Sequence, residues 1–176
     1  MKILCTPLLA VGVLLAALLW PSAASADLTD DALAEKVIDT IQRYPQFTMF
    51  DDISLTVENR VVTLMGRVTT PLKKDEVGKR VGKIDGVRQL VNDIKVLPVS
   101  PMDDELRLRI ARAIYNHPSF WQFASMAVPP IHIIVEGGHV TLTGRVGTQL
   151  DRTIANALAQ VPGAFSVKND LKVDRK

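Results

Sequence analysis

The chain has 176 residues, 47% of them apolar and 23% charged, with 21 Lys+Arg against 19 Asp+Glu and a single cysteine. It is too apolar and too evenly charged for a disordered chain. One thiol excludes both a disulfide framework and a cysteine-built metal site.

The apolar excess is concentrated at the start. Lys2 is followed by an apolar run from Leu8 to Trp20, then Pro21 and Ser22-Ala23-Ala24-Ser25-Ala26. A charged start, a run too short for the roughly 20 residues a bilayer span needs, and an Ala-x-Ala end form a secretory signal peptide over residues 1–26, with cleavage expected after Ala26. Cys5 precedes the run, where it is wrongly placed for lipid attachment, and no other cysteine follows. An exported protein rarely meets chromosomal DNA, so the pI near 8.8 is poor evidence for nucleic-acid binding.

From residue 30 onward, Leu33, Val37, Ile41 and Tyr44 form one stripe of a helix, capped at its start by Thr29 or Asp30 and ended by Pro45. Ile53, Leu55 and Val57 alternate as a strand, and Val62, Leu64, Gly66 and Val68 as a second. A two-residue turn at Asn59-Arg60 sets Val57 opposite Val62, Leu55 opposite Leu64 and Ile53 opposite Gly66. After Pro71 the period becomes helical again through Val77, Val81 and Ile84, with Lys73, Lys74, Lys79, Arg80 and Lys83 on an outer face. Gly86 stops this helix, and a last strand runs through Ile94 and Val96.

The same order then recurs. Val62-Thr63-Leu64-Met65-Gly66-Arg67-Val68 returns as Val140-Thr141-Leu142-Thr143-Gly144-Arg145-Val146 at an offset of 78. The first helix repeats at an offset of 73, as Leu106, Ile110 and Ile114. The last strand repeats at 77, with Gly163, Asn169, Asp170, Leu171 and Val173. The offsets imply a five-residue insertion around Ala124 to Pro130 in the second copy. Its hairpin turns at Gly137-Gly138, so that Val135 faces Val140, Ile133 faces Leu142 and Ile131 faces Gly144. The fold expected is α+β: two tandem α-β-β-α-β domains, residues 30–98 and 103–174, each a three-stranded mixed sheet with two helices on one face. Gly66 and Gly144 are expected to permit a bulge or a close backbone approach, and Asn92 and Asn169 to turn the chain into the last strand.

Seven of the eight aromatics after residue 26 fall in two windows, Tyr44, Phe47 and Phe50, then Tyr115, Phe120, Trp121 and Phe123. Phe120, Trp121, Phe123 and Met126 form the candidate partner or interface loop. The five cations of the second helix form the candidate membrane-binding face. His117, His132 and His139 make no metal-ligand spacing. There is no nucleophile elbow, P-loop or dinucleotide fingerprint, so no catalytic residue, metal, cofactor or small-molecule substrate is expected.

The doubled hairpin signature, together with Gly86-Val87 before Val91-Asn92-Asp93-Ile94 and Gly163-Ala164 before Val167-Lys168-Asn169-Asp170-Leu171, resembles the BON domain of bacterial osmotically induced and nodulation-related exported proteins. The resemblance implies an exported, often periplasmic protein of α-β-β-α-β fold. It also implies association with phospholipid or the envelope, and in some members chaperone-like activity under osmotic stress. Because no cysteine follows the apolar run, the match is to the soluble type rather than the lipid-anchored one. An anionic phospholipid surface and envelope proteins both stand as partners at this point, and the oligomeric state stays open.

Overall fold

The computed structural model describes residues 29–174, so the expected signal peptide and its cleavage site lie outside the described residues. Two α+β units follow one another. The first is α1 (Asp30–Gln42), β1 (Asp52–Glu58), β2 (Val61–Val68), α2 (Pro71–Val81) and β3 (Gln89–Val96). The second is α3 (Pro101–Tyr115), a 3-10 turn at Trp121–Phe123, β4 (Ile131–Glu136), β5 (His139–Val146), α4 (Gln149–Leu158), β6 (Ser166–Asn169) and β7 (Lys172–Val173).

Each hairpin adopts the expected register: Leu55 opposes Leu64, Ile53 opposes Gly66, Ile133 opposes Leu142 and Ile131 opposes Gly144. The turns explain it. Asn59 and Arg60 have φ of 50° and 64°, and Gly137 and Gly138 have 59° and 77°, the doubly left-handed turn whose twist suits two antiparallel strands. β3 then pairs parallel with β2, and β6 and β7 pair parallel with β5. The alternation directs Val62, Leu64 and Ile94, with Val140 and Leu142, toward the helices, where they meet Leu33, Val37 and Ile41 of α1 or Ile110 and Ile114 of α3. Each such side chain contributes about 1.5–3 kcal/mol on full burial.

The two hairpin glycines mark a close approach rather than a bulge, since the pairing runs unbroken through Gly66 and up to Gly144, the last pair of its ladder. A Cβ on Gly66 would stand 2.1 Å from the Asp52 carbonyl oxygen, and one on Gly144 2.0 Å from that of Pro130. Gly86 and Gly163 do not stop the second helices: α2 ends at Val81 with Gly82 as its C-cap, and α4 at Leu158 with Ala159. The two glycines, at φ of 104° and 97°, serve instead the turn between that helix and the last strand.

Asn92 and Asn169 do not turn the chain into the last strand. Both sit inside it and tie it to the helix above. Asn92 donates from Nδ2 to the Lys74 carbonyl at 3.0 Å and accepts the Ile94 N–H at 3.4 Å. Asn169 donates to the Arg152 carbonyl at 2.8 Å and accepts the Leu171 N–H at 3.2 Å. In the second unit the third strand is also split. The Arg152 guanidinium donates to the Asn169 carbonyl at 3.0 Å, and regular pairing lapses between Asn169 and Lys172.

Candidate functional surfaces

α2 begins at Pro71, where a missing N–H costs nothing, and Thr70 caps it by accepting the Lys73 N–H. Its buried stripe is Lys73, Val77 and Val81, so Lys73 points inward. The Lys73 Nζ donates to Asp51 Oδ2 at 2.6 Å and to the Thr69 hydroxyl at 2.8 Å. Asp51 is fully buried, and its carboxylate also accepts the backbone N–H groups of Thr48 and Thr69, both at 2.9 Å. Lys73 is therefore removed from the candidate membrane face: a saturated buried ion pair cannot meet a bilayer. Of the other four cations, Lys79 pairs with Glu76 at 3.2 Å, and the Arg80 guanidinium lies 5.0 Å over the Tyr44 ring. Lys74 is half-buried and Lys83 exposed. Burial raises the Tyr44 pKa, as do the charges of Glu76 and Asp51, while Arg80 opposes them.

The candidate loop divides in the same way. Phe120 is buried in the second core and Phe123 packs against that core, so neither is free for a partner. Trp121 and Met126 project outward, with 71% and 51% of their surfaces exposed.

A third surface was not singled out in the sequence. Val99, Met102 and Phe165 are 95%, 81% and 77% exposed, although each is a large apolar side chain. Met102 and Phe165 rim a groove of about 320 Å³ whose wall includes Leu106, and Gly138 and Gly163 keep the groove open. Phe165 is the one aromatic after residue 26 that lies outside both windows. At the aligned positions the first copy has Thr29 and Arg88 in place of Met102 and Phe165. That polar-to-apolar exchange between otherwise matching copies was the readable signal.

In the groove lies a carboxylate, matched by one in the first unit, whose hold on the hairpin turn the sequence reading missed. Asp103, in the first turn of α3, accepts the N–H groups of Gly137 at 2.9 Å and Gly138 at 2.8 Å. Asp30 does the same for Asn59 at 2.7 Å and Arg60 at 2.9 Å. Each unit thus fastens its hairpin turn to the start of its first helix through one carboxylate. Burial alone would raise the Asp103 pKa. The hydrogen bonds from Gly138, Gly137 and Ser100 and the Arg107 charge outweigh it and hold the carboxyl below its ordinary value.

The histidines lie apart. His117 accepts the Ser119 N–H at 3.2 Å, His139 Nδ1 lies 2.8 Å from the Ser166 hydroxyl, and the His132 ring stands 5.6 Å from that of Phe47. Among the described residues no group of three or more His, Cys, Asp or Glu side chains is placed to hold a metal ion, and no helix is long and apolar enough to cross a membrane.

Two α-β-β-α-β units with these hairpins define a tandem-repeat protein. The BON-domain family model matches residues 29–98 and again residues 103–175, and the chain belongs to that family. BON domains are known in envelope-associated proteins, and the family is in general non-catalytic. A comparison with curated proteins finds no match. Two solved structures, both of CdsD, a structural protein of the type III secretion system of Chlamydia trachomatis, are similar at 15% identity. One, its C-terminal domain, covers 80% of this chain and 96% of its own, and the other 80% and 94%; both have a TM-score of 0.27, too loose a superposition to bear on function.

Proposed function

We propose that this is a non-catalytic module, exported to the periplasm, that holds an anionic phospholipid surface and supports envelope integrity or tolerance of osmotic stress. The observation that carries the reading is the apolar rim of the second unit. Val99, Met102 and Phe165 stand in water, and the last two rim a groove that they share with Leu106 and with the charged Glu105 and Arg109. A cluster of large exposed apolar side chains, unlike a single one, marks an interaction surface. Entry of Met102 and Phe165 into the boundary between headgroups and acyl chains recovers part of the about 1.5–3 kcal/mol that each yields on full burial. The exposed cations Lys79, Arg80 and Lys83 on α2 add attraction to an anionic surface, about 1 kcal/mol for each one near it.

Co-sedimentation with vesicles of phosphatidylglycerol and phosphatidylcholine tests this. Binding is expected, weakened by salt and by Lys79→Gln with Lys83→Gln, and lost on Met102→Asp with Phe165→Asp. Equal binding by that last variant overturns the reading.

A second reading, a periplasmic chaperone or protein-interaction module, is favoured by one observation, the exposure of Trp121 and Met126 on the helix-to-strand link that is longer in the second copy. It requires that Trp121→Ala reduce suppression of aggregation of an unfolded client. An unchanged effect rejects it.

A further inference from the structure

We infer that the two repeats form one cooperative folding unit, fastened by a reciprocal exchange of their helix-to-strand links, with residues 124–130 of the second copy serving as the strap. From the first unit, Met49 and Phe50 pack against the second unit's core. The Met49 carbonyl accepts the Ile133 N–H at 2.7 Å, covering part of the outer edge of β4. In return Val128, which lies in the insertion, packs against the first unit's core. Each copy thus lends apolar side chains from the same link to its neighbour.

Ile134 gives independent support. Strand alternation places it on the face of the second sheet opposite Ile133 and Val135, away from α3 and α4, yet it is only 4% exposed. Beside it lies a cleft of about 270 Å³ walled by Asp52 and Arg67 of the first unit, which is what lies over that face. Arg67 and Glu136 also meet across the seam at 3.1 Å, but both are half-exposed and such a pair contributes little. The apolar exchange carries the coupling. The physical need is plain: a unit of about 70 residues buries only about 60% of the surface its unfolded chain exposes, so each copy is short of core and gains from its neighbour.

Native-state hydrogen exchange at the buried strand residues Leu64 and Leu142, one in each unit, tests the inference on the intact chain. In rising urea the two amides are expected to converge on one exchange isotherm. Val128→Ala, though it lies in the second copy, is expected to speed exchange at both by the same factor, about five- to thirtyfold. Phe50→Ala is expected to act on both in the same way. Two separate isotherms in the unaltered chain, or acceleration confined to one unit, would overturn it.

Discussion

The Lys73 ammonium lies 2.6 Å from the Asp51 carboxylate, and this contact separates the charge α2 carries from the charge it presents. Lys73 stands four residues before Val77 and eight before Val81, so it continues the buried stripe rather than the outer face. In the second copy the aligned positions are Pro129 and Asp151, and no such pair forms.

Removing Lys73 therefore acts on stability. Lys73→Ala leaves a buried carboxylate without its cation and is expected to cost about 3–5 kcal/mol in urea unfolding. Lys83→Gln, at an exposed position, is expected to stay within about 0.5 kcal/mol. Equal unfolding midpoints for the two variants would contradict the assignment of Lys73 to the interior.

Asp103 makes the fold sensitive to acid. Its carboxyl has an ordinary value of 3.8 and lies lower in the folded chain, so the folded state binds its proton less readily than the unfolded state does. Its contribution to stability is complete above about pH 3.8 and is lost as pH falls through the folded value. Asp103→Asn removes one of two backbone acceptors and is expected to cost about 1–3 kcal/mol at neutral pH, with a smaller loss of stability on acidification below pH 4 than in the unaltered chain. Parallel acid profiles for the two would contradict this.

Gly66 and Gly144 are expected to tolerate no side chain. An added Cβ meets a backbone carbonyl oxygen at 2.1 or 2.0 Å, at φ of 123° and 104°. Strain and overpacking together place the cost of alanine at about 2–6 kcal/mol at either position. Gly137→Ala is the control. Nothing lies within 4 Å of its Cβ, so only the left-handed backbone cost of about 1–2 kcal/mol applies, and thermal unfolding ranks the three.

The repeat made much of the fold legible. Two copies agreeing on Leu55 opposite Leu64 and Ile133 opposite Leu142 fix the hairpins without any reference to tertiary structure, because a one-residue slip would turn every apolar side chain to water. Asn92 was misread for a local reason: asparagine favours turns, but here its side chain is held by the Lys74 carbonyl, a partner 18 residues away. The inward turn of Lys73 was readable from its spacing to Val77, but charge hid it. Comparing the copies position by position would have found Asp30 with Asp103, and the apolar replacements Met102 and Phe165. The burial of Ile134 was not readable at all, since strand alternation assigns it to an outer face and only the first unit, packed there, covers it.

The most direct test of the lipid-surface reading places a polarity-sensitive fluorophore on the rim. In the chain from Asp27 onward, which holds no cysteine, Met102→Cys and Ser54→Cys provide one label on the rim and one on the exposed face of β1. With phosphatidylglycerol vesicles the label at 102 is expected to shift to the blue and the label at 54 to stay unchanged. No shift at 102, or equal shifts at both positions, would contradict the account.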